Sequence, residues 1–269
     1  MKQKKYLIDT TLRDGEQSPG FAFSTEQKVR LAVLLDEAGI YQIEAGIPAM
    51  GDYEKDTIIK ILENRKNTRI STWNRMNRED ILHSFDCHPD IIHISAPMSY
   101  VHIYSKLKKN KGWLQKNLQD CVSLALDKGY AVTVGFEDAS RADITFMIAV
   151  AEMLKDMGVL NIRYADTVGV LTPSRAYQAV SEIRNHTGIA VGIHAHNDLG
   201  MAVANSLEAA RAGADYIDTT LFGIGERAGN CDLSQFVAAS HHIFDLGLGH
   251  TEVCVLKGKG REIIYKNKL

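Results

Sequence analysis

From Tyr6 to Thr219 the chain repeats one unit eight times, a short β-rich run followed by a helical segment. Parallel strands cannot be joined by tight hairpins and need helical crossovers, so this alternation predicts a parallel sheet wrapped in helices. The strands read Tyr6–Thr10, Gln42–Ala45, Arg69–Trp73, Ile91–Ser95, Ala131–Phe136, Asn161–Ala165, Ala190–His194 and Tyr216–Thr219. Amphipathic periodicity is clearest over Thr25–Ala38, Leu114–Lys128, Asp143–Met157, Pro173–Asn185 and Met201–Ala212. Ser24, with Gln27 three residues on, predicts a capping box, and Thr172-Pro173 a cap followed by proline in the first turn. Gly39, Gly129, Gly158 and Gly213 follow helix ends. Eight such units in roughly 240 residues predict an α/β TIM (β/α)8 barrel over residues 1–250, whose active site is built by loops at the strand C-termini.

The striped helices are then core and carry no cofactor. With 45% hydrophobic and 24% charged residues the chain of 269 can build one large core. A formal charge of −2 gives no global field for nucleic acid or an anionic membrane. No apolar stretch approaches the roughly 20 residues of a membrane span, so a cytoplasmic protein is expected. Cys87, Cys121, Cys231 and Cys254 lie far apart without a C-x-x-C spacing, which reads as reduced thiols. Residues 251–269 carry many charges and little periodicity and are expected to be a solvated tail.

Candidate chemistry gathers at the strand ends. His194 and His196 stand two apart, so strand geometry sends both imidazoles to one side, where they can share a divalent ion. Asp14, after the first strand, offers hard oxygen chemistry to the same ion, and Arg13 beside it a fixed cation suited to a carboxylate or a developing alkoxide. The glycine-rich run Gly223–Gly229 is no dinucleotide fingerprint, because it does not open a first βαβ unit; Asn230 after it can add a carbonyl oxygen to the metal shell. Glu137 after the fifth strand can orient a substrate or transfer a proton, and Thr167 after the sixth can hydrogen-bond a carboxylate.

Together T-L-R-D-G-E-Q at Thr11–Gln17, E-D-A-S-R at Glu137–Arg141, A-D-T-V-G at Ala165–Gly169, H-x-H-N-D at His194–Asp198 and G-E-R-A-G-N at Gly225–Asn230 resemble the acyl-CoA-condensing branch of the DRE-TIM metallolyase superfamily. The match runs from the first strand through Asn230. The resemblance implies one divalent metal, Mg2+, Mn2+ or Zn2+, held by Asp14, His194, His196 and Asn230. It implies that Arg13, Gln17 and Thr167 bind the 2-oxo acid, with Arg13 and Glu137 catalytic. The implied reaction adds the enolate of acetyl-CoA to a 2-oxo acid, polarised by the metal and Arg13, and then hydrolyses the thioester.

The related lyases carry a cysteine in the glycine loop, which this chain lacks. Arg13-Asp14 differs from the R-E of lysine-pathway homocitrate synthases. Glu44-Ala-Gly-Ile-Pro-Ala-Met-Gly51 and Thr72-Trp-Asn-Arg75 most resemble homocitrate synthases of nitrogen-fixing bacteria, implying 2-oxoglutarate as acceptor; isopropylmalate and citramalate synthases are the alternatives. Full-length synthases continue past the barrel into a segment that completes the site. The resemblance therefore implies that a second polypeptide supplies it, in a split, oligomeric enzyme. The competing reading is a noncatalytic barrel that retains metal and 2-oxo acid recognition.

Overall fold

The structure, a computed structural model, describes residues 2–265. Among them, eight parallel strands close into the expected barrel: β2 (Tyr6–Asp9), β3 (Gln42–Gly46), β4 (Arg69–Arg75), β5 (Ile91–Pro97), β6 (Ala131–Glu137), β7 (Asn161–Asp166), β8 (Ala190–Ala195) and β9 (Tyr216–Thr219). Pairing of Tyr6 with Tyr216 through Asp9 with Thr219 joins β9 back to β2. Around it lie α1 (Thr25–Glu37), α2 (Asp52–Asn64), α3 (Arg78–Phe85), α4 (Lys111–Leu126), α5 (Ile144–Asp156), α6 (Pro173–Thr187), α7 (Ala202–Arg211) and α8 (Leu233–Ser240). A two-residue ribbon of β1 (Gln3–Lys4) and β10 (Phe244–Asp245) lies outside the barrel.

The local signals explain the boundaries. Ser24 accepts from the Gln27 amide while Gln27 returns a bond to the Ser24 amide, closing the capping box. Gly39 ends α1 at φ +88°, a conformation that a side chain would strain. Thr172 does occupy the N-cap of α6, ahead of Pro173, but its side chain makes no capping bond.

Alternation along each strand sorts the core. Ile92 and Ile94, Ile162 and Tyr164, and Val191 and Ile193 are buried in the main apolar cluster. The intervening positions meet across the lumen, from a floor where Tyr6 stacks on Tyr216 and Tyr41 packs tilted against both, to charged groups higher up. Among the described residues, no helix is long and apolar enough to cross a membrane.

The expected tail is a correction. Residues His250–Tyr265 form a ninth helix, α9, that buries Val253, Leu256, Gly260, Ile263 and Ile264. Lysines and glycines between these positions obscure the stripe, but the spacing of three, four, three and one residues places it on one helical face. Gly260 lies against Leu221 and Phe222, where an added Cβ would be in ordinary contact with both. At the far end Tyr265 packs against Phe21 and Phe222, on the loops after β2 and β9. The last four residues of the expected tail, 266–269, lie outside the described residues.

Candidate metal centre and active site

The first loop is shaped by its own polar groups. Asp9 accepts from the Thr11 amide and hydroxyl, and the Asp14 amide returns to the Thr10 carbonyl, a tight turn that delivers Arg13 and Asp14 to the mouth. Glu16 is held by the Phe23 amide and by buried Lys28, which also binds Glu54 on α2. The first two loops are thus tied by one lysine.

Asp14, His194 and His196 lie buried together, with one potential ligand atom of each within 4.8 Å of the others. His194 Nδ1 is 2.9 Å from Asp218 Oδ2, and its Nε2 is 3.0 Å from Asp14 Oδ2. With Nδ1–H donated to Asp218, Nε2 presents a lone pair to the Asp14 carboxylate. Two acceptors face each other, so a cation or a proton must sit between them. In the absence of an ion, the bonds to Asp14 and Asp218 outweigh desolvation and push the His194 imidazole up to about 9. Asp14 is held well below the usual carboxylate range, because Arg13 and the two histidines overcome the opposing effect of burial.

The rest of the donor set also fits an ion. His196 gives Nδ1 to the Asp166 carbonyl at 3.1 Å, leaving Nε2 buried, 3.6 Å from Asp14 and without a hydrogen-bond partner. The Asn230 amide nitrogen donates to Asp14 Oδ1 and the Ile224 carbonyl, both at 3.1 Å, while its Oδ1 is buried and unpartnered. Gly225 makes room for this amide, since a Cβ there would fall 2.0 Å from the Asn230 nitrogen. Two orphaned acceptors beside a carboxylate and an imidazole form an oxygen and nitrogen shell of the kind that accepts a divalent cation.

Behind the cluster runs a chain of charges that sequence reading missed. Arg13 bonds Glu44 Oε1 through Nε at 2.7 Å; Glu44 Oε2 takes Arg163 Nη1 at 2.9 Å; Arg163 Nε reaches Asp218 Oδ2 at 2.9 Å. Asp218 holds His194, His194 meets Asp14, and Asp14 returns to Arg13 at 3.1 Å. Six side chains from β3, β7, β8, β9 and the first loop close one ring, crossing the lumen between β7 and β3. Glu44 stays ionised despite complete burial, because Arg13 and Arg163 flank it. Burial and the same arginines keep His93, bonded to Thr133 at 2.8 Å, neutral.

A cleft opens over this ring. Arg13, Asp14, Gln17, Glu137, Thr167, His194 and His196 line it, so four strand ends bring these predicted residues together, and Asn230 after β9 adjoins them through Asp14. Trp73, His93, Ser95, Arg163 and Glu226 also line the cleft, although the sequence reading assigned none of them a role. The Arg13 guanidinium lies 5.7 Å from the Trp73 ring. Glu137 accepts from Ser95 Oγ at 3.4 Å and lies 3.3 Å from His102 Nδ1. The Thr167 hydroxyl oxygen accepts from the Asp138 amide, so it also fixes a backbone held at φ +58°. Arg227 clamps Asp198 and the Thr167 carbonyl, tying together the loops after β7, β8 and β9.

Comparison with known proteins places this site in context. The HMGL-like family model matches residues 4–255. The chain is 49% identical over 231 residues to homocitrate synthase subunit alpha of Clostridium pasteurianum, covering 86% of each chain. It is 42% identical to 2-isopropylmalate synthase 2 of Caldanaerobacter subterraneus and to a homocitrate synthase of a Frankia strain, covering 91% and 89% of this chain. It spans 64% and 60% of the length of those two relatives. The HMG-CoA lyase of Bacillus subtilis superposes with a TM-score of 0.84 at 16% identity, over 97% of this chain and 94% of the lyase, a likeness of fold alone. Barrel, motif set and family match agree, and the chain belongs to the HMGL-like family.

Proposed function

We propose that this chain catalyses the condensation of acetyl-CoA with 2-oxoglutarate to homocitrate and CoA. The observation that carries the reading is the meeting of Arg13, Asp14, Glu137, His194 and His196 in one cleft of a chain 49% identical to a homocitrate synthase subunit. A divalent ion, held by Asp14, His194, His196 and Asn230, would supply Lewis acidity to the keto and carboxylate oxygens of the 2-oxo acid. Arg13, braced by Glu44 and Asp14, offers its guanidinium to the oxygen that gains charge as the new carbon–carbon bond forms. Glu137 stands on the cleft wall to orient the thioester or accept the proton lost by its methyl group. Gln17 and Thr167 flank the 2-oxo acid. Water then cleaves the thioester, releasing CoA as its thiol.

The reading includes a partner chain. The Clostridium relative is called subunit alpha, and the longer relatives extend well beyond the matched region. The mouth also carries apolar side chains that a lid would cover: Met50 is 74% exposed, Tyr53 65% and Leu199 54%.

Thiol release from acetyl-CoA, followed with 2-oxoglutarate or 2-oxoisovalerate, tests the proposal. We expect metal-dependent release with 2-oxoglutarate when the partner is present. Preference for 2-oxoisovalerate would instead support the isopropylmalate synthase reading favoured by the 42% relative. No turnover in any metal-loaded combination would remove both and leave a binding barrel. Calorimetry of His194→Ala checks the ligand set: tight divalent binding disappears while the fold remains, and unchanged affinity would refute it.

A further inference from the structure

Three acidic side chains line the cleft, and they are not held alike. Asp14 is paired with Arg13 and Glu226 with Arg227, whereas Glu137 has no arginine or lysine partner among the described residues. Its Oε2 accepts from Ser95 Oγ at 3.4 Å, and its Oε1 lies 3.3 Å from Nδ1 of His102. A permanent cation would hold the carboxylate ionised and weaken it as a base. An imidazole, which gains and loses a proton near neutral pH, imposes no such bias.

His102 stands behind Glu137, on the irregular helix Val101–Lys106 that follows β5. Its side chain is 13% exposed, and the neighbouring Ile103 is fully buried. Ser99 Oγ accepts from the His102 amide at 3.2 Å, and the Leu107 amide donates to the His102 carbonyl at 2.9 Å, a bond that spans five residues and widens the turn. The backbone that carries the imidazole is therefore fixed on both sides.

The ring itself is short of a partner. Nδ1 is buried and makes no hydrogen bond, although Glu137 Oε1 is near. On the other side Nε2 lies 3.8 Å from Oδ2 of Asp138, which Arg141 grips with two bonds. With the ring hydrogen on Nε2, toward Asp138, Nδ1 turns a lone pair to the Glu137 carboxylate. Two acceptors that close leave a place for one proton. A doubly protonated ring would then lie between two carboxylates, which favour its charge.

We propose that His102 is a positioning residue that stores, behind Glu137, the proton taken from the methyl group of the acyl thioester. This rests on the synthase reading of the cleft. The methyl C–H bond breaks, its electron pair becomes the enolate, and the proton forms an O–H bond at Glu137 Oε1. That O–H bond then breaks as Nδ1–H forms, so Glu137 is a carboxylate again while the imidazolium is held between Glu137 and Asp138. After the enolate has added to the 2-oxo acid, the proton returns through Glu137 to the alkoxide that the addition creates, and the pair is restored.

The test is His102→Gln in the metal-loaded protein with its partner chain. The amide can still donate to Glu137 but cannot take up a proton. Turnover of acetyl-CoA with 2-oxoglutarate should fall about a hundredfold in kcat, with KM for both substrates and divalent-ion affinity unchanged. The isotope effect on kcat with methyl-deuterated acetyl-CoA should grow, because proton removal becomes the slow step. Parent-like turnover in the Gln variant, or a loss carried by KM, would overturn the proposal while leaving the synthase reading intact. A second measurement does not depend on turnover. The charged groups facing His102 are Glu137 and Asp138, with Arg141 beyond Asp138. Glu137→Gln removes the nearer negative charge, so the His102 ring, followed by NMR, should titrate about one unit lower than in the parent. An unmoved titration would sink the pairing. No turnover of any 2-oxo acid by the parent would remove the synthase reading, and the proposed step with it.

Discussion

The two sides of the barrel mouth are built on opposite principles. On the side of the first, seventh and eighth barrel strands, Asp14, His194, His196 and Asn230 are buried, and each carboxylate or guanidinium behind them has at least two partners. On the side of the fourth strand, the 99–113 segment leaves lysines unpaired and rings open to solvent. The difference teaches that charge is paired throughout where the mouth is buried and left open where it faces solvent, so fixed geometry is confined to the side that carries Asp14, His194 and His196.

Three substitutions on the buried side can break this comparison. Arg163→Met leaves Glu44 and Asp218 each short of a buried partner, and the expected loss is about 3–5 kcal/mol in denaturant unfolding. A loss below ~1 kcal/mol would mean that the ring contributes little to stability.

Asp9→Asn sharpens the pH side. Burial, partly opposed by the Thr11 bonds, pushes the Asp9 carboxyl up to about 7. A raised folded-state value means its contribution is fully present below the unfolded value near 4 and is lost as pH rises through about 7. The parent protein should therefore lose roughly 3–4 kcal/mol of this contribution between those pH values, and the Asn variant should show a flatter profile. Identical pH–stability curves would show that Asp9 ionises freely in the fold.

Asp218→Asn has the mildest expected effect. The amide oxygen still accepts from His194, but the charge is gone, so divalent-ion affinity should fall about 10–100-fold by titration calorimetry. Undiminished affinity would remove the ring from any role in metal binding.

Much of this was legible before any coordinates. Strand and helix alternation predicts the barrel, and spacing brings His194 at the end of β8 and His196 just after it to the same cluster. What the sequence reading missed was charge inside strands. Glu44 in Gln-Ile-Glu-Ala-Gly, Arg163 in Asn-Ile-Arg-Tyr-Ala and Asp218 in Tyr-Ile-Asp-Thr each sit at an inward position of a buried strand. A charged residue there has no solvent to face, which is itself a signal of a partner across the lumen. The partner's identity was hidden because the pairs are separated by as many as 119 positions in sequence. In α9 the signal was present but diluted, as exposed Lys257, Gly258 and Lys259 stand in sequence between Leu256 and Gly260 of the buried face.

The closed ring from Arg13 through Glu44, Arg163, Asp218, His194 and Asp14 also has an entropic meaning. Immobilising one long side chain on binding costs about 0.5–1.5 kcal/mol. Arg13 and Arg163, the two most rotamer-rich members, are already held by carboxylates before any ligand arrives. Their ordering is met once, during folding, so a ligand entering the cleft meets a guanidinium whose direction is already chosen.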